Sequence, residues 1–173
     1  MRKITLVAVL VSLVSMVHAA VYYVSPSGNN STGTSWASAF TAIKAALDVA
    51  GVGDEVWVAQ GTYTITAEAN QLTFKNGVNV YGGFTGSETT RAARSSNPEL
   101  TIIKHQSSVE TNFRLLMSTN LDDAALYDGF TFDGNNAGMG VHMSGNCTLN
   151  NVIVKNCTVL NGSGAAVYMA GNE

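Results

Sequence analysis

Charge is what this sequence has least of. Asp, Glu, Lys and Arg make up 12% of the 173 residues, about half the usual quarter. Nine residues are cationic and twelve acidic, for a formal charge of -3. A nucleic-acid partner needs clustered cations to neutralise phosphates, so none is expected. Cysteine is down to two, too few for a multi-bridge scaffold or a four-cysteine zinc site. Proline is also down to two, against 17 glycines. A hydrophobic share of 46% with so little charge excludes a disordered chain. The surface must then draw its polarity from Ser, Thr, Asn and Gly.

One long apolar run is present, Ile4 to Val17, behind Arg2 and Lys3. It falls short of the roughly 20 residues that span a bilayer. Val17-His18-Ala19 supplies small or tolerated side chains before a cleavage point. The pattern is that of a secretory signal peptide over residues 1–19. No cysteine follows the cleavage point and no second run of spanning length occurs. The mature chain is expected to be exported, with no transmembrane helix. Loss of Arg2 and Lys3 leaves seven basic groups against twelve acidic ones.

Tyr22-Tyr23-Val24 reads as a short strand closing at Ser25-Pro26, and SGNNSTGTS (27–35) as a loop. Trp36, Phe40, Ile43, Leu47 and Ala50 then form an apolar stripe of helical period. Ser35 is placed to cap that helix and Gly51 to stop it. After Gly53-Asp54 the period changes. Val56–Val58 is a strand, and short β-type segments follow between Gly and Asn residues: 62–65, 72–74, 78–81, 101–104, 114–117, 127–132, 141–143, 148–154, 158–160 and 166–169. Residues 82–86 (GGFTG) and 95–98 read as loops.

Gly138–Asn146 aligns with Gly164–Asn172, identical at five of nine positions and 26 residues apart. Phe130-Thr131-Phe132 aligns with Cys157-Thr158-Val159 one residue out of that register. Eight of the sixteen asparagines lie between Asn135 and Asn172. A period of 26 made of strands and turns fits a stacked solenoid better than a propeller blade. Stacking then allows asparagine side chains to form ladders along the axis, and the Trp36–Ala50 helix is placed to cover the first strands as a cap.

YYVSPSGN (22–29), GTSWASAF (33–40), residues 45–50 and GDEVWVAQGTY (53–63) resemble the start of secreted right-handed parallel β-helix proteins, the pectate-lyase-like superfamily. VYGGFTGSE (80–88), Arg91 and DGFTF (128–132) resemble its branch of polymorphic outer-membrane proteins. The resemblance implies an all-β fold, a right-handed parallel β-helix with an N-terminal amphipathic capping helix. Residues 20–53 are then the first strand and cap, and 54–173 the rungs. The chain stops at Glu173 straight after a strand-like segment, so an incomplete C-terminal stack is expected, with self-association through its uncapped end.

Enzymes of this superfamily hold calcium with carboxylates against a uronate and use Lys or Arg as base. Asp122, Asp123, Asp128 and Asp133 are the densest carboxylates here, with Arg114 and Lys155 the nearest cations in sequence. Their bland reading is as solvated turn residues, Asp133-Gly134 being a turn dipeptide. His105 and His142 lack a partner at metal spacing, and alignment of His142 with Tyr168 argues for an outward position. Cys147 and Cys157 read as core thiols or as a disulfide. Trp57, Tyr63 and Tyr81 are either sugar platforms or packing between the cap and the first strands. The sequons at Asn29, Asn30, Asn146, Asn156 and Asn161 follow from composition. No nucleophile elbow or phosphate loop occurs. No catalytic residue, metal ligand or cofactor is assigned. The expected function is non-enzymatic: adhesion or glycan contact by a secreted or cell-surface protein, with an extracellular glycan or a host or cell-surface protein as partner, at the outer-membrane surface or beyond the cell. The alternative is the N-terminal part of a polysaccharide lyase or glycoside hydrolase with its catalytic rungs beyond residue 173.

Overall fold

The computed structural model describes residues 19–106, 113–118, 121–158 and 166–170. The expected signal segment lies outside them except for Ala19, as do residues 159–160 of one expected strand and the glycosylation sequon at Asn161.

Every strand pairs in parallel with a partner distant in sequence. β1 (Val21–Val24), β2 (Glu55–Ala59), β3 (Gly61–Ile65), β4 (Leu72–Thr73) and β5 (Asn79–Phe84) fill the first half. β6 (Thr101–His105), β7 (Arg114–Met117), β8 (Ala125–Asp133), β9 (Met139–Met143), β10 (Cys147–Lys155) and β11 (Val167–Met169) fill the second. They form a seven-stranded sheet ordered β1-β2-β5-β8-β6-β3, with β10 also on β8, and a four-stranded sheet ordered β11-β9-β7-β4.

The expected all-β right-handed parallel β-helix is overturned. The protein is mixed, 14% helical and 42% strand, with mostly parallel sheets curled into a half-barrel. Strand pairing shows why a regular stack does not result. β8 takes β5 as partner through Leu126–Asp128 and β6 through Thr131–Asp133, so one strand bridges two ladders. Among the described residues the four-stranded sheet has no counterpart of that branch.

The helix expected over Trp36–Ala50 is also shorter, with α1 spanning Ile43–Val49. Ser35 does close a capping box, but on the 3-10 turn Trp36–Ser38. Phe40 is extended because its backbone bonds to β1: its N–H donates to Tyr23 O and its carbonyl accepts from Ser25 N. Those bonds replace the helical ones. α1 buries Ile43, Ala46 and Leu47 in the main core. Further 3-10 turns lie at Glu68–Asn70, Arg91–Ala93 and Pro98–Leu100, the last starting at the end of the expected loop 95–98. No helix among the described residues is long and apolar enough to cross a membrane.

Glycine and asparagine set which side chains face inward. In β8, Tyr127, Phe130 and Phe132 all enter the core, with Tyr127 and Phe130 ring centres 5.7 Å apart. Strict alternation forbids that set. Gly129 permits it with φ +85°, and the facing Asn151 in β10 has φ +48°. That conformation costs ordinary residues but not Gly, and Asn little. Three asparagine side chains of this region bond to groups other than another asparagine. Asn135 Nδ2 donates to His105 O, Asn151 Nδ2 to Ser96 O and Asn156 Nδ2 to Asp133 Oδ1.

The 26-residue repeat pairs as aligned, Val141, His142 and Met143 opposite Val167, Tyr168 and Met169. The second alignment is corrected: Phe130, Thr131 and Phe132 lie opposite Val152, Ile153 and Val154. The loop expected over 82–86 is also corrected, because β5 runs through Gly82, Gly83 and Phe84.

Candidate functional site

The outer face of the seven-stranded sheet carries a second apolar cluster. Trp57, Tyr81 and Phe84 form it, with Tyr23, Trp36 and Leu126 packed against them. Trp57 stacks on Phe84 at 4.7 Å, their planes 9° apart. It therefore packs on the side of the sheet away from α1, whose contacts are with the main core. Trp57 and Tyr81 are only 5% and 6% exposed, too little for either ring to serve as a sugar platform. Tyr63 is equally buried in the main core and donates its hydroxyl to Ala59 O. It borders a cavity of about 200 Å³ beside the start of α1.

Register places Trp57, Tyr81 and Asp128 side by side on β2, β5 and β8. The segment joining β5 to β6 crosses above them, tied by Trp36 Nε1 donating to Glu88 O at 2.8 Å. Its 3-10 turn has three residues per turn, so Arg91 and Arg94 emerge on one side. Both guanidinium groups lie over the Tyr81 ring, at 4.7 and 5.4 Å from its centre. Arg91 Nη1 donates to Glu55 Oε1 and to the Tyr81 hydroxyl. Arg94 Nη2 donates to Asp128 Oδ2 at 2.7 Å, and its Nη1 to Gly82 O at 3.1 Å. Glu55 Oε2 accepts from Trp57 Nε1 at 2.7 Å. Burial raises the Tyr81 phenol above its ordinary 10.0, with Arg91 pulling the other way.

These groups wall an open groove of about 540 Å³ lined by Glu55, Arg91, Ala92, Arg94 and Ser96. The two ion pairs differ in setting. The Arg91 side chain is 50% exposed, whereas Arg94 and Asp128 are 15% and 10% exposed. One cation is anchored and the other faces solvent.

The four candidate carboxylates are not brought together. Asp123 clasps Asn76, its Oδ2 accepting from Asn76 Nδ2 and its N–H donating to Asn76 Oδ1. Asp122 is exposed in the same loop. Asp133 Oδ1 accepts from Asn135 N and Asn156 Nδ2, a structural turn. Of the four, Asp128 pairs with a groove-lining residue, and that cation is Arg94 rather than Arg114 or Lys155. Among the described residues no group of three or more His, Cys, Asp or Glu is placed to hold a metal.

His105 is core, 1% exposed, its Nε2 3.2 Å from Phe113 O. Burial lowers its pKa from the ordinary 6.5. His142 stacks on Tyr168 at 5.1 Å. Cys147 and Cys157 are free and half-buried. Cys147 opens the nine-residue β10 and Cys157 lies two residues past its end. Neither forms a disulfide: Cys147 Sγ lies against Ser144 O and Cys157 Sγ against Lys155 O.

Reading the sequence missed Glu55 and Arg94 as site residues. The available signal was Arg91-x-x-Arg94, two of only nine cations spaced one tight turn apart. No family, no curated protein and no solved structure matches this chain.

Proposed function

We propose that this is an exported, non-enzymatic protein of the cell surface or surroundings that contacts glycans through the Arg91 groove. The observation that carries the reading is a solvent-open groove whose polar walls are held in place before any ligand arrives. Glu55 is fixed between Arg91 and Trp57, and Arg94 between Asp128 and Gly82. Side chains held this way lose little entropy on binding. Planar groups with several donors and acceptors suit the paired hydroxyls of a sugar ring. The signal-like segment at residues 1–19 supports export, and a glycan outside the cell is the partner class that fits both features.

The test is binding of the secreted chain to immobilised polysaccharides and cell-surface glycans. Saturable binding is expected, lost at least tenfold in Arg91→Ala and in Ala92→Trp, which fills the groove while leaving all four charged residues in the chain. Binding that survives both substitutions, or no binding to any glycan, refutes the proposal.

A further inference from the structure

We infer that the groove selects neutral, hydroxyl-rich sugars and rejects polyanionic glycans. The inference rests on the glycan reading and narrows it. Two arginines at a groove ordinarily suggest an anion site, but here each already has a carboxylate. Arg91 pairs with Glu55 and Arg94 with Asp128, so the four charges cancel.

An incoming anion must displace one of those carboxylates. Displacing Asp128 strands a residue that is 7% exposed and whose Oδ1 has no hydrogen-bond partner among the described residues. A buried charge without a partner is strongly unfavourable. Displacing Glu55 breaks its bond to Arg91 and leaves it held by Trp57 Nε1, facing the new anion across the groove. The chain's formal charge of -3 adds a repulsive background.

A hydroxyl meets none of these penalties, because it donates and accepts at once. Adjacent hydroxyls of one sugar can donate to Glu55 and accept from the Arg91 guanidinium while the ion pair stays intact. Recognition must come from such bonds rather than ring stacking, because both guanidinium groups already cover the Tyr81 face.

The experiment compares three polymers at fixed ionic strength: a neutral glucan, polygalacturonate and dextran sulfate. The wild-type chain is expected to bind the glucan at least tenfold more tightly than either polyanion. Glu55→Gln removes one negative charge and leaves an amide, so the groove gains a net positive charge. That variant is expected to lose glucan binding and gain at least tenfold toward dextran sulfate. A gain of binding cannot come from misfolding, and Ala92→Trp should abolish both modes. Wild-type preference for a polyanion, or no gain in Glu55→Gln, overturns this inference and leaves glycan contact standing. Failure to bind any of the three polymers or other glycans overturns both.

Discussion

Removing Arg94 should destabilise the protein far more than removing Asp128, and removing both should cost least. Asp128 Oδ2 receives its bond from Arg94 Nη2, and Oδ1 is buried with no partner among the described residues. Arg94→Met therefore leaves a nearly buried carboxylate without that donor. Breaking a buried pair from one side costs about 3–5 kcal/mol. Asp128→Leu leaves the other half, but that half is better placed. The guanidinium keeps its bond to Gly82 O and borders an open groove where water reaches it. Its cost should be about 1–2 kcal/mol. The double variant Arg94→Met/Asp128→Leu strands no charge and should come within about 1 kcal/mol of wild type. Urea unfolding followed by tryptophan fluorescence suits the measurement. Trp36 and Trp57, the chain's two tryptophans, both sit in the cluster beneath the site. Single-variant costs that simply add in the double variant would refute the reasoning. So would an Asp128→Leu cost equal to that of Arg94→Met.

Gly82→Ala should cost about 3 kcal/mol by overpacking, because its methyl would lie 2.4 Å from Gly129 O. Gly51→Ala meets only Asp54 Oδ2 at 3.7 Å and should stabilise by about 0.5 kcal/mol; the same urea titration ranks the two, and equal effects would contradict the packing. His105 has a folded pKa below its unfolded 6.5, so its contribution is complete above that value. It declines as the pH falls below 6.5, where the unfolded chain takes up the proton first. The melting temperature should fall from pH 7 to pH 5, less steeply in His105→Gln, and an unchanged slope in that variant would remove His105 as the cause. Cys147 and Cys157 should both titrate as thiols in the denatured chain after air oxidation, and mass spectrometry showing a bridge between them would contradict their separate placement. Calcium should leave the melting temperature unchanged, since Asp122, Asp123, Asp128 and Asp133 do not converge; a calcium-dependent rise would contradict their placement.

The strands were legible wherever a short β-branched or aromatic run lay between turn residues. Val141–Met143 and Val167–Met169 could even be paired in register, because an outward His or Tyr beside conserved-size Val and Met marks equivalent positions. Glycine misled at Gly82-Gly83. It reads as a strand breaker, yet its role there is to let β5 approach the Gly129 carbonyl, where a side chain has no room. The apolar stripe misled at Phe40, whose helical spacing gave way to backbone pairing with β1. The site was hidden for a different reason. Arg91 lies 36 residues from Glu55, and Arg94 lies 34 from Asp128. No local spacing displays those pairs. They exist only once β2, β5 and β8 are side by side.

The pairing pattern also bears on how the chain reaches this state. The closest paired strands, β8 and β10, join residues 22 apart (Ala125 and Cys147), and the most distant, β5 and β8, join residues 47 apart (Asn79 and Leu126). Among the described residues no ladder is a hairpin, so none of these can close early on local contacts and seed the rest. Each strand must wait for a surface already assembled, at a loop-closure cost incurred before its contacts form. Folding should therefore be slow and sequential, growing strand upon strand. Until each growing edge meets its successor, its unpaired N–H and C=O groups offer the same template to any other chain nearby.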